Sequence, residues 1–160
     1  MSVLSWGKCK IETTPSTDGA PGASASWKVL PTPKEDTTKI TPTAGTEKTA
    51  TEEGGDLVDV RYGKNTYTFE FDLFVKKGEE RPFEDNDGLI SGEHAFRITP
   101  EDEECEGALI DRSVVRCDES YSTADGKLLH YVARCLKPKE GKTVKPYTKA
   151  SVAKTSATKA

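Results

Sequence analysis

Histidine is scarce in this chain of 160 residues: His94 and His130 are the only two, beside one methionine and two tryptophans. Each lies in an alternating, strand-like run among apolar neighbours and reads as an ordinary strand histidine. A nucleophile pair with Cys117 or Cys135 stays open only because spatial neighbours need not be neighbours in sequence. There is no GxGxxG, no P-loop and no GxSxG, which removes the commonest nucleotide-binding and hydrolase readings. No stretch approaches the ~18 apolar residues of a membrane span. The opening MSVLSWGKCK lacks the apolar run of a secretory signal, so the expectation is a protein made and kept in a cytoplasm. The four cysteines form no CxxC pair, so thiols are expected rather than disulfides or zinc. Cys9, Cys117 and Cys135 are placed in the core, and Cys105 on an exposed acidic turn.

Apolar residues are also few. A hydrophobic content of 34% against 31% charged, with 13 glycines, 9 prolines and a Thr-rich middle, puts much of the chain outside any core, although the length suits one domain. The net charge of −4 is uneven: seven lysines follow Leu136 against the single acid Glu140, giving that segment +6 and the rest −10. An acidic body does not suit a nucleic-acid binder, which needs cations against phosphates. The Lys-rich end reads as a solvated tail, since it has neither aromatic interleaving nor an amphipathic period. FEDNDGLISGEH has the Asp85, Asp87 and Gly88 of a calcium loop but holds Phe83 and His94 where ligands are needed, so it reads as a polar turn. The acids from Glu101 to Glu106 read as solvated. No catalytic residue, metal or cofactor is expected.

What the chain does have is strand alternation. In LVDVRYGKNTYTFEFDLFV, Val58, Val60 and Tyr62 share one face of a first strand, and Tyr67, Phe69, Phe71, Leu73 and Val75 share one face of a second, in a different register. With turn-prone residues between, this predicts an antiparallel hairpin whose opposite face carries Glu70 and Asp72. Further strands are predicted at Ser5 to Ile11, around Trp27 to Leu30, at Glu93 to Thr99, Ala108 to Cys117 and Lys127 to Leu136, the last two joined by a turn at Asp125 and Gly126. TTPSTDGAPGASAS is expected as a loop, and residues 34–55, with only Ile40 as a sizeable aliphatic, as a second, long one. The prediction is a mainly β domain over residues 1–136, an antiparallel sandwich or partly closed barrel with at most one short flanking helix, followed by a flexible tail over 137–160.

The Thr- and Gly-rich loop ending in EEGGDLVDVRYGKNTYTFEFDLFV, the connection DNDGLISGEHAFRITPED and the closing pair RSVVRCDESYSTADGKLLHYVARCL together resemble the major tail tube proteins of long-tailed bacteriophages and prophages. The likeness covers about Met1 to Pro138. It implies a structural, non-enzymatic virion protein, assembled in the bacterial cytoplasm into hexameric rings that stack around a tape-measure protein beside other tail proteins. The finished tube conducts DNA without sequence-specific binding. The resemblance places Glu70 and Asp72 on the lumen wall, and Ile40, Thr46, Glu47, Glu52 and Glu53 in a mobile loop between rings. It puts a short helix in the connection from Lys77 to Glu93, which here is rich in glycine and charge. The alternatives are a tail terminator or initiator, a bacterial injection-system tube protein, or a small-ligand or glycan-binding β-barrel.

Overall fold

A computed structural model describes residues 3–22 and 25–149. The end of the Lys-rich tail, residues 150–160, lies outside the described residues, so the tail's expected flexibility there is not addressed. Among the described residues eleven strands form: β1 Lys10–Thr17, β2 Ala20–Pro21, β3 Lys28–Val29, β4 Lys39–Thr43, β5 Glu47–Thr51, β6 Leu57–Tyr62, β7 Thr66–Phe74, β8 Glu93–Thr99, β9 Gly107–Ser122, β10 Gly126–Cys135 and β11 Val144–Tyr147. Nine belong to one antiparallel sheet in the order β2-β1-β8-β9-β10-β7-β4, with β3 beside β1 and β11 beside β9, while β5 and β6 pair with each other. The large sheet curls strongly into a half-barrel, as the expected mainly β, partly closed architecture requires.

Alternation decides which side curls inward. On β7, Phe69, Phe71 and Leu73 are buried, and across the ladder so are Leu129, Tyr131 and Ala133 of β10, whose partners are Leu73, Phe71 and Phe69. Phe71 stacks on Tyr131 with ring centroids 5.3 Å apart, and Phe69 meets Phe96 of β8 edge-on at 5.3 Å. Each such ring contributes about 1.5–3 kcal/mol by burial alone. The connection between β7 and β8 closes the concave side by inserting Phe83, which lies 6.0 Å from Phe96 and 5.6 Å from Tyr131. No helix forms in this connection. A turn at Lys76 to Glu79 and a bridge between Asn86 and Leu89 hold it, because its glycines and charges favour turns over a repeating helical ladder.

The outer face of the β1–β8–β9 half is covered as well. Arg97 of β8 lies over Trp27 at 4.5 Å and Tyr147 at 5.6 Å, and its Nη2 donates to the buried carboxylate of Glu12 at 2.8 Å. Arg97 Nε finds no acceptor among the described residues. Tyr147 belongs to β11, which pairs with β9, and Lys145 beside it forms an ion pair with the buried Asp111. The folded unit therefore runs past residue 136 to Tyr147, and the Lys-rich segment is not wholly a tail.

Three further expectations change. The stretch after Ile11 is the body of β1 rather than a loop: Thr13 and Thr14 are buried, and Asp18 and Gly19, both at positive φ, make the two-residue turn into β2. Threonine is β-branched and suits strands, and Pro15 falls between the β2 and β3 pairings, where β1 has a neighbour on the β8 side alone. Residues 34–55 contain β4 and β5 rather than one structureless loop. Finally, β6 and β7 do not pair with each other.

Candidate assembly surface

The strands β4, β5, β6 and β7 form one long hairpin. Thr43 pairs with Thr66 at the end of the β4–β7 ladder, and Glu47 pairs with Tyr62 at the start of the β5–β6 ladder, four residues further on along both chains. The register is therefore continuous across the waist, where Gly63 N donates to Thr46 O at 2.8 Å. At the waist the backbones approach so closely that a Cβ on Gly45 would lie 2.4 Å from the Gly63 carbonyl. The chain reverses at Glu52 to Asp56, closed by Glu52 N donating to Asp56 O at 2.9 Å, with Gly54 and Gly55 at φ near +95° and +94°. All of β5 and most of β6 are exposed, so this pair is an arm projecting from the half-barrel.

Val60 and Tyr62 alternate onto one face of β6, while Val58 is the extra residue of the bulge that separates the Ala50–Asp59 and Thr51–Leu57 pairs. The aromatic side chains of β7 pack within the half-barrel, whereas the arm's apolar side chains do not join that core. Tyr62 is 78% exposed, and Leu57 and Val58 are also exposed.

The convex face behind the aromatic core carries Glu70 and Asp72, as the alternation requires. Neither stands alone. Glu70 pairs with Lys39 of β4 at 3.4 Å, and Asp72 with His130 of β10 through a short contact to Nδ1. On β9, Arg116 pairs with Asp118 at 3.3 Å, and Arg134 Nη1 of β10 donates to the neutral Thr68 hydroxyl at 3.5 Å. Across this face runs a groove of about 730 Å³ lined by Lys39, Arg116, Arg134, Leu89, Val114 and Val132 among others. Leu89 is 72% exposed, and Val114 is exposed as well. A second cleft, of about 800 Å³, lies between the segments Ser5 to Cys9 and Thr32 to Ile40.

Of the residues expected in an inter-ring loop, Glu47 lies on β5, Glu52 and Glu53 at the arm's tip, and Thr46 at the waist. Ile40 does not belong with them. It sits on β4 opposite Phe69 and packs against the core. In the sequence Val58, Val60 and Tyr62 align on one strand face without being placed at the surface, and Leu89, Val114, Arg116 and Arg134 are not singled out. The matched glycines, Gly45 and Gly63, were the available signal that two strands cross there rather than turn.

The thiol and histidine candidates engage other groups. His94 meets Phe83 edge-on at 4.9 Å, and His130 is engaged by Asp72. Cys117 shares a hydrogen bond with Tyr131, and burial pushes its thiol up to about 11; burial likewise raises Cys135 to about 11. None of the four cysteines is disulfide-bonded, with Cys117 and Cys135 buried and Cys9 and Cys105 partly so. No protein-family model matches the chain, and comparison with curated proteins finds no match.

Proposed function

We propose that this chain is a structural subunit that self-assembles through its hairpin arm, and that the assembly is the tube of a bacteriophage or prophage tail or of a related injection machine. The observation that carries the first half is the exposed arm itself, whose apolar Leu57, Val58 and Tyr62 lie where the subunit's own core does not cover them. A two-stranded ribbon is marginal by itself in water, so an exposed apolar surface of this kind gains most from a partner. The second half rests on the sequence resemblance, which brings with it stacked rings, a tape-measure protein and passage of DNA without enzymatic activity. The concave side, filled by Phe69, Phe71, Phe83, Phe96 and Tyr131, does not favour a small-ligand barrel. Glu70 is paired with Lys39 and Asp72 is engaged by the His130 ring, so the two do not by themselves supply a free carboxylate band for a channel wall.

Electron microscopy of purified protein at rising concentration tests this reading. Rings or tubes are expected from the native chain. A variant in which residues 47–62 are replaced by a short turn is expected to remain monomeric and folded. A native chain that stays monomeric at millimolar concentration, with partner tail proteins present, would sink it.

A further inference from the structure

We infer that the arm of one copy docks in the convex-face groove of a second copy. This rests on the proposal that the chain self-assembles through its arm, and it specifies where the arm lands.

The groove and the arm match in two independent respects. The groove offers the exposed apolar side chains Leu89 and Val114 together with the buried Val132, and the arm offers the exposed Leu57, Val58 and Tyr62. The groove's rim is basic, with Lys39, Arg116 and Arg134 against the single acid Glu70. The arm's distal half is acidic: Glu52, Glu53, Asp56 and Asp59. Arg134 in particular has a neutral hydroxyl as its neighbour, so a carboxylate arriving there gains a charge-assisted bond without displacing an ion pair. The arm cannot serve its own groove, because the continuous ladder extends it away from the sheet that carries that groove. Five paired residues of β5 beyond the waist reach about 17 Å at ~3.3 Å each, enough to cross into a neighbouring molecule. Docking would cover Glu70, making it an interface residue rather than part of an open channel wall.

The test is charge exchange in the full chain, read by sedimentation velocity and microscopy, with folding of each variant followed by circular dichroism. Arg116→Glu with Arg134→Glu is expected to raise the concentration needed for assembly at least tenfold. Adding Glu52→Lys and Glu53→Lys is expected to restore it. Assembly of the double variant at the native concentration, or loss that the added lysines do not repair in a folded protein, would overturn the docking site. An independent arm uses the native charges: Val58→Cys with Val114→Cys is expected to give interchain disulfides on oxidation beyond those of the native chain, and assembled protein without them would equally overturn it. If the native chain never assembles, the parent proposal fails instead, and the two failures are thereby told apart.

Discussion

Arg97 shows how a polar side chain can become structural when both its ends are used. Its guanidinium satisfies Glu12, which is 6% exposed, while its faces lie against Trp27 and Tyr147, so one residue holds β1, β8, the segment before β3 and β11 together. Arg97→Ala would leave the Glu12 carboxylate with Lys10 at 3.9 Å as its remaining cation. We expect a loss of about 3–5 kcal/mol in urea unfolding, with Arg97→Lys in between. The buried thiols give a pH signature. Burial raises Cys117 and Cys135 from 9.0 to about 11, so the unfolded chain gives up these protons first. Their contribution is present in full below pH 9 and is lost as pH climbs through 11, on the order of 1–2 kcal/mol for each thiol. Burial raises Tyr131 in the same direction. Chemical unfolding at pH 7, 9 and 10.5 should therefore give similar stabilities at the first two and a lower one at the third. Cys105, on its turn, should react with a thiol reagent well before these two.

Among the elements, β7 was the most legible in the sequence because its alternation and its burial agree, while β8, β9 and β10 carry weaker alternation, with neighbours such as Ala95 and Phe96 or Tyr131 to Ala133 buried in succession. β1 was hidden by Pro15, Ser16, Asp18 and Gly19, whose local turn preference yields to ladder pairing on both sides of Thr13. The arm was misread for a subtler reason. A break in alternation at Gly63 to Asn65 has two physical causes, a chain reversal or an irregular segment that passes from one ladder to the next, and one chain's sequence does not separate them. The reversal lies instead at Glu52 to Asp56, at the end of the stretch 34–55 that the sequence predicts as a long loop. β11 was missed because four residues among lysines give too little pattern, although Tyr147 is buried. The element account predicts unequal costs. Removing the arm, which buries almost nothing, should shift the unfolding midpoint by no more than a few degrees, whereas ending the chain before Val144 uncovers Arg97 and Asp111 and should lower stability by several kcal/mol. Thermal melts of the two truncations check this ordering.

At the scale of the molecule, the chain combines a half-barrel that is complete within itself and an arm that is not. The half-barrel buries its aromatic cluster without help. On the proposed reading the arm's exposed apolar side chains meet a second copy, and a net charge of −4 slows indiscriminate association. If docking joins apolar contact to opposite charge, raising ionic strength should weaken assembly without abolishing it, since salt screens the charged part over a Debye length of about 8 Å at 0.15 M and leaves apolar burial intact. The most direct measurement is hydrogen exchange on the arm, followed by mass spectrometry on dilute and on concentrated native protein. The account predicts that amides of residues 47–62 exchange quickly in the dilute monomer and become strongly protected on assembly, while those of β7 and β10 are protected in both. Equal exchange of the arm in the two states would contradict it.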